Sequence, residues 1–132
     1  MLKRILIADD SVYIRDLIRE FIEAESGFRV CGEAADGVEA VSKARELSPD
    51  LIVLDFSMPG MNGIEAARAL LPVIPATPKI LFTLHKDAVP DTLARSVGIG
   101  SVFSKTDGLS PLIAEIRRLL DGQEPAPGVA PS

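Results

Sequence analysis

The chain has 132 residues, with 14 basic and 19 acidic side chains, so its formal net charge is −5. This length suits one domain with a real core, and a composition of 47% hydrophobic and 25% charged residues is typical of globular domains. The negative charge argues against direct nucleic-acid binding, which usually needs a basic surface. The single cysteine, Cys31, excludes an internal disulfide and is expected to be a small core hydrophobe.

The apolar segments are short. None of them approaches the roughly 18 residues of a transmembrane span, so we expect no membrane insertion. The apolar run that follows the N-terminal "KR" pair ends in acidic residues, which argues against a secretory signal. We therefore expect a cytoplasmic protein.

Short β-branched runs alternate with longer segments of helical spacing along the chain. Strands are predicted over residues 4–8, 28–34, 51–55, 79–83 and 101–105. Helices are predicted from Ser11 to a stop near Gly27, from a cap at Asp36 to Leu47, and over 64–71, 87–97 and 109–120. In the first helix, Arg15 and Arg19 fall on the polar faces, and in the fourth, Pro90 fits only the first turn.

This alternation predicts right-handed βαβ units and a parallel sheet with helices on both faces, which is a doubly wound α/β fold. Residues 1–121 form the predicted domain. Residues 122–132, with three prolines and no periodicity, are expected to be a tail or the start of a linker.

Polar side chains stand at the ends of four predicted strands. Asp9 and Asp10 end the first strand, Asp55 the third, Thr83 the fourth and Lys105 the fifth. In open α/β sheets, ligands bind beyond the carboxyl ends of the strands. We therefore expect these side chains to form one site.

The residue types at this edge suit phosphoryl chemistry. Crowded carboxylates raise one another's pKa unless a cation shares them, and Mg²⁺ prefers oxygen ligands. An aspartate can act as a nucleophile and form an acyl phosphate. A lysine and a threonine hydroxyl could then stabilise the phosphoryl oxygens.

Four motifs carry a resemblance to a known family. In order, "ILIADDS", "LIVLDFSMPGMNG", "ILFT" and "VFSK" resemble the receiver domain of two-component response regulators, over about residues 3–121. The resemblance implies a flavodoxin-like (βα)5 fold with five parallel strands in the order 2-1-3-4-5. It also implies a signalling phosphoacceptor, which catalyses only its own phosphorylation and dephosphorylation and is otherwise not an enzyme.

The resemblance assigns roles to individual residues. Asp55 is the implied phosphoacceptor, and Lys105 pairs with its carboxylate or phosphate. Asp10, Asp55 and the backbone carbonyl of Ser57 would hold Mg²⁺, or Mn²⁺ in its place, with Asp9 acting through water. The phosphoryl donor would be a histidine kinase or a histidine phosphotransfer protein.

The resemblance also implies a switch region, made of Thr83, Val102 and Phe103. It would signal through helix four, strand five and helix five, to a second receiver or to a downstream protein. Two positions depart from the family. Val102 replaces the usual aromatic residue, with Phe103 on the other face of the strand, and Thr106 replaces the usual proline after Lys105. We predict a trans Lys105–Thr106 bond, because a cis bond before a non-proline residue costs about 2.5–4 kcal/mol.

Several alternatives remain open. Asp9 and Asp10 could be helix caps, although capping accounts poorly for two adjacent acids. An aspartyl-nucleophile phosphatase or mutase would usually show a D-x-D pattern, which neither Asp9 nor Asp55 begins, and no phosphate-binding glycine loop is present. A phosphorylation-independent scaffold with the same fold is the remaining alternative. We favour a single-domain regulator over one with an output domain.

Overall fold

The computed structural model describes residues 2–122 and shows one parallel sheet covered by helices on both faces. The strands are β1 (Lys3–Ala8), β2 (Phe28–Ala34), β3 (Leu51–Leu54), β4 (Lys79–Thr83) and β5 (Ile99–Ser104). The helices are α1 (Val12–Glu23), α2 (Gly37–Leu47), α3 (Gly63–Leu70), α4 (Asp91–Ser96) and α5 (Ser110–Asp121). Short 3₁₀ turns occur at Lys86–Ala88 and Lys105–Asp107.

The strand order is β2-β1-β3-β4-β5 and every pair is parallel, which confirms the predicted fold. The three inner strands are apolar along most of their length because both of their faces are covered. On one face, the residues from α2, α3 and α4 include Ala40, Ala67 and Ala94. On the other, α1 and α5 contribute Ile18 and Ile116. The two cores hold the sheet rigidly between them.

Local polar groups cap the start of three helices, one of which the sequence predicted. Ser11 accepts the Ile14 N–H before α1, and Asp36 accepts the Glu39 N–H before α2, which confirms the predicted cap. Asn62 and Glu65 form a reciprocal capping box at the start of α3. These caps fix where the chain leaves the carboxyl ends of β1, β2 and β3.

Three predicted elements have a boundary that is wrong by more than one residue. α1 ends at Glu23, and Gly27, with φ of 103°, forms the turn into β2 instead of closing the helix. α4 covers only 91–96 because Val89, which precedes Pro90, is held extended at φ −123° and ψ 94°. β5 covers 99–104 rather than 101–105, since Ser104 caps a 3₁₀ turn that begins at Lys105.

Other local predictions can be compared directly. All peptide bonds in the described residues are trans, which confirms the trans Lys105–Thr106 bond. Cys31 is half-buried and packs against the core on the α2 side. Within residues 2–122, no helix is long and apolar enough to cross a membrane. The predicted tail or linker lies, from residue 123 onward, outside the described residues.

Candidate functional site

The sheet order brings the acidic residues of β1 and β3 together. These strands are neighbours in the centre of the sheet, and the N–H of Asp55 donates to the carbonyl of Ala8 at 2.9 Å. Carboxylate oxygens of Asp9, Asp10 and Asp55 therefore all lie within 4.8 Å of one another. Asp9 and Asp55 are buried, whereas Asp10 is exposed at the mouth of the site.

Lys105 lies between the two buried carboxylates. Its Nζ is 2.6 Å from Oδ2 of Asp9 and 3.1 Å from Oδ2 of Asp55. The lysine side chain is only 11% exposed, so both contacts are partly shielded from water. The predicted pairing with Asp55 is thus present, together with a shorter contact to Asp9 that the sequence did not indicate.

Burial and charge pairing act in opposite directions at this cluster. Burial raises the pKa of Asp9, and the hydrogen bonds and charge of Lys105 only partly offset this. Burial also lowers the pKa of Lys105, but the hydrogen bond to Asp9 and the charges of Asp55 and Asp9 outweigh it, so its pKa is raised overall. The ammonium therefore stays protonated and holds the acidic pair together.

The oxygen atoms that remain fit a divalent cation. Both carboxylate oxygens of Asp9 are engaged, because Oδ1 accepts the Ser11 N–H at 2.9 Å and Oδ2 pairs with Lys105. In contrast, Oδ1 of Asp55 is buried and has no hydrogen-bond partner among residues 2–122, which is costly unless a donor or a cation is supplied. Asp10 and Asp55 are thus the natural direct ligands for a hard cation such as Mg²⁺.

A cavity of about 520 Å³ opens above the cluster. Its lining brings together most of the predicted site, and it comprises Asp9, Asp10, Ser11, Ile14, Asp55, Ser57, Leu84, His85, Lys105 and Thr106. Ser57 is therefore close enough to take part in the site. The cavity is large enough for a phosphoryl group with its waters.

Thr83 does not line this cavity. Its side chain is fully buried, and Oγ1 accepts the backbone N–H of His85 at 3.0 Å. The loop after β4 thus covers the hydroxyl in this structure. The sequence placed Thr83 correctly at the end of β4 but did not show that its hydroxyl is engaged by the loop.

The two predicted switch residues of β5 lie on opposite faces. Val102 packs against the core on the α2, α3 and α4 side, and Phe103 against the core on the α1 and α5 side. This arrangement agrees with the alternation predicted for a strand. The aromatic ring of Phe103 therefore lies on the face of the sheet that α1 and α5 cover.

Several residues that shape the site carry no obvious sequence signal. A Cβ atom at Gly63 would lie 2.2 Å from the carbonyl oxygen of Asp55, so α3 can start this close to Asp55 only with glycine there. Ser104 Oγ accepts the Thr106 N–H at 3.2 Å and thereby shapes the turn that carries Lys105. Arg15, predicted on a polar face, is only 14% exposed and donates to the carbonyl of Asp9 at 2.6 Å.

A second depression of about 630 Å³ lies between α1 and α5. Its charged residues include Glu25 and Arg117, which form an ion pair at 2.7 Å. These groups satisfy each other and lack the unpartnered oxygen found at Asp55. The acidic cavity is therefore the stronger candidate for chemistry.

Comparison with known proteins agrees with this geometry. The family model described as "Response regulator receiver domain" matches residues 5–117. The chain is 40% identical over 121 residues to protein-glutamate methylesterase/protein-glutamine glutaminase 4 of Myxococcus xanthus, covering 89% of the chain and 34% of that protein. It is 35% identical over 121 residues to the response regulator GacA of Pseudomonas viridiflava, covering 91% of the chain and 56% of that protein.

A solved structure shows the same fold. The response regulator domain of Thermotoga maritima CheB superimposes with a TM-score of 0.81 at 30% identity, covering 95% of this chain and all of that one (100%). The chain spans only part of the two curated relatives, 34% of the Myxococcus protein and 56% of GacA. The family match and the 2-1-3-4-5 sheet with its acidic edge show that the chain belongs to the receiver domains of two-component response regulators.

Proposed function

We propose that the chain accepts a phosphoryl group on Asp55 in a Mg²⁺-dependent reaction and thereby switches its binding to partner proteins. The donor is a histidine kinase or a histidine phosphotransfer protein. The observation that carries this proposal is the buried Oδ1 of Asp55, which has no hydrogen-bond partner among residues 2–122 and belongs to a residue that lines a cavity together with two further carboxylates and a lysine.

In the proposed reaction, a carboxylate oxygen of Asp55 attacks the phosphorus of a phosphohistidine. An O–P bond forms and the P–N bond breaks, and the imidazole nitrogen of the donor keeps the electron pair. Lys105 already contacts Asp55 and can bind the transferred oxygens without a large movement. The protein contributes position and charge, which suits phosphoryl transfer because its transition state needs little covalent assistance.

The residues present fit the implied metal. Asp10, Asp55 and the carbonyl of Ser57 would hold Mg²⁺, or Mn²⁺ in its place, with Asp9 acting through water. Bound there, the ion would neutralise the negative charge of the carboxylates and of the incoming phosphoryl oxygens. The engagement of both Asp9 oxygens by Ser11 and Lys105 supports its indirect role.

Switching is proposed to start at Thr83. Its hydroxyl, whose oxygen accepts the His85 N–H, would turn away from this N–H and donate its own proton to a phosphoryl oxygen, which would release the loop between β4 and α4. The surface of α4, β5 and α5 would report this change to a downstream protein or a second receiver. A direct link between two of these elements is the 2.6 Å hydrogen bond from Ser101 on β5 to Glu115 on α5.

The remaining parts of the proposal concern the whole protein. We propose that residues 1–121 act as a receiver whose only catalysis is its own phosphorylation and dephosphorylation, with residues 122–132 as a tail or linker. The methylesterase and glutaminase activities belong to the named relative, of which the chain spans only 34%.

The acceptor can be tested with acetyl phosphate and Mg²⁺, followed by intact-mass spectrometry. We expect wild type to be labelled and Asp55→Asn to remain unlabelled. Asp91→Asn, which removes an exposed acid at the start of α4, is the matched control and should be labelled like wild type. Labelling of Asp55→Asn at the wild-type level would show that the acceptor is another residue.

Partner binding separates a switch from a scaffold. Beryllofluoride with Mg²⁺, an unreactive mimic of the phosphoryl group, should change the affinity of wild type for its partner and leave Asp55→Asn unaffected. A partner that binds equally well with and without the mimic would favour the phosphorylation-independent scaffold.

A further inference from the structure

Arg15 connects the acidic site to an outer strand of the sheet. It lies near the start of α1, and its side chain is only 14% exposed. Its Nε donates to Oε1 of Glu33 on β2 at 3.0 Å, and its Nη1 donates to the main-chain carbonyl of Asp9 at 2.6 Å. A planar guanidinium can hold two such acceptors in fixed directions, which a lysine ammonium does not do.

Glu33 is shared by a second arginine. Arg19, one turn further along α1, donates Nη1 to Oε2 of Glu33 and Nη2 to Asp16 at 2.8 Å. Arg19 is more exposed than Arg15, at 36% against 14%. Both arginines therefore attach α1 to β2, but the contact with the Asp9 carbonyl belongs to Arg15.

The contact with Arg15 completes the hydrogen bonding of Asp9. The N–H of Asp9 donates to Ala34 at 3.0 Å, its Oδ1 accepts the Ser11 N–H, and its Oδ2 pairs with Lys105. Only the carbonyl oxygen then needs a donor. This carbonyl belongs to the peptide that joins Asp9 to Asp10, so its direction sets where both carboxylates point.

We propose that Arg15, oriented by Glu33, is a positioning residue for the acidic site. It fixes the peptide between Asp9 and Asp10, so that Asp10 faces the cavity while Asp9 stays paired with Lys105. This inference rests on the proposed Mg²⁺-dependent function. It extends that function by making the cation affinity depend on a group outside the cavity lining.

A purely electrostatic role predicts the opposite result. The positive charge of Arg15 lies behind the carboxylates and opposes the binding of a cation, so its removal should tighten Mg²⁺ binding if charge alone mattered. A positioning role predicts weaker binding, because ligands that are poorly oriented hold a metal less well. The sign of the change therefore separates the two effects.

The test compares Arg15→Met with Arg19→Met in the full chain. Both variants keep an apolar stem and lose one contact with Glu33, but only Arg15→Met loses the Asp9 contact. We expect Mg²⁺ binding, measured by NMR titration, to weaken about 10-fold in Arg15→Met, the lower end of what losing a ligand-orienting partner costs. Arg19→Met should stay within about twofold of wild type, as a change at a partly exposed surface pair.

A readout without metal accompanies the titration. The Ser11 amide donates to Oδ1 of Asp9, so its hydrogen exchange should accelerate in Arg15→Met and not in Arg19→Met. Arg15→Lys serves as a milder variant that keeps the charge. Because a lysine ammonium lacks the rigid planar geometry of a guanidinium, it should hold the two acceptors less precisely, and the Mg²⁺ affinity of Arg15→Lys should fall between wild type and Arg15→Met.

Equal Mg²⁺ affinity and equal Ser11 exchange in the two methionine variants would overturn the positioning role. Tighter binding in Arg15→Met would overturn it in favour of the charge effect. A wild-type protein that binds no Mg²⁺ would instead contradict the proposed function itself, which keeps the two failures distinct.

Discussion

Two lysines at opposite ends of the sheet, the buried Lys79 and the partly buried Lys105, differ in their electrostatic surroundings. Lys105 follows β5 at the carboxyl end and pairs with the carboxylates of Asp9 and Asp55. Lys79 begins β4 at the amino end, is 1% exposed, and donates to the carbonyls of Thr77 at 3.0 Å and Ile74 at 3.4 Å. The ammonium of Lys105 is thus stabilised by two negative charges, whereas that of Lys79 is stabilised only by the dipoles of two carbonyl groups.

Their pKa values shift in opposite directions. Burial lowers the pKa of Lys79, and no charged partner within residues 2–122 compensates for it. Burial acts in the same direction on Lys105, but its two carboxylates outweigh burial and raise its pKa. Burial alone therefore does not mark a functional lysine. The site differs because Lys105 holds together two carboxylates, those of Asp9 and Asp55, which would otherwise repel each other. Such a cluster suits the binding of a cation and a phosphoryl group.

The close packing at the carboxyl end of the sheet can be tested at Gly63. Gly63→Ala should lower the free energy of unfolding by about 3 kcal/mol, because the added Cβ meets the carbonyl of Asp55 at 2.2 Å and the backbone must shift. Urea unfolding measures this change. Gly100→Ala is the control, since apart from its chain neighbours no described residue lies within 4 Å of its added Cβ, and it should change stability by no more than about 0.5 kcal/mol. Similar losses of stability in the two variants would mean that the close approach of Gly63 to Asp55 does not constrain the site.

Removal of the ammonium at the carboxyl end should also be costly. Lys105→Met leaves Asp9 and Asp55 buried without their shared partner, and we expect a loss of about 2 kcal/mol in the absence of metal. Adding Mg²⁺ should stabilise this variant more than wild type, because a cation can replace the lost charge. Urea unfolding with Mg²⁺ or with EDTA tests both statements.

Lys86→Met removes an exposed lysine from the turn after β4 and should behave like wild type in both conditions. If Lys105→Met lost no more stability than Lys86→Met, Lys105 would not be needed to stabilise the two buried carboxylates.

The lysine at the amino end should tolerate the same replacement. Lys79→Met should leave stability at neutral pH within about 1 kcal/mol of wild type, because the lost hydrogen bonds are offset by the removal of a desolvated charge. Since the pKa of Lys79 is lowered in the folded state, the unfolded chain binds more protons as pH approaches the ordinary value of 10.5. Wild type should therefore gain stability relative to Lys79→Met as pH rises towards that value.

Urea unfolding of both proteins from neutral pH upward checks this slope. If the stabilities of wild type and Lys79→Met changed in parallel with pH, the pKa of Lys79 would not be lowered by folding. The contrast with Lys105 would then fail.

Much of the fold follows from the sequence because its hydrophobic pattern is regular. The predicted strands at 28–34 and 79–83 match β2 and β4 as observed, and the predicted cap at Asp36 is correct. The errors occur where local signals compete. Gly27 looked like a helix stop but serves a later turn, and Pro90 shortened α4 through its effect on Val89.

The candidate site was predictable in its members but not in its contacts. Sequence reasoning placed Asp55 and Lys105 at strand ends, and the structure joins them although they are 50 residues apart. It did not indicate that Lys105 also binds Asp9, nor that Arg15 turns inward from a face that looked polar. Spacing along a helix tells which face a residue occupies, but not whether a neighbouring strand offers it a partner.

The sequence by itself determined which segments are buried strands and that these strands end in carboxylates, a hydroxyl and a lysine. Those properties depend on hydrophobicity and periodicity, which are local. Only the tertiary structure decided which oxygens are already engaged, leaving Oδ1 of Asp55 without a partner and the hydroxyl of Thr83 covered by its own loop. Hydrogen bonds form within a few tenths of an ångström and in narrow directions, so they depend on how separate segments pack together.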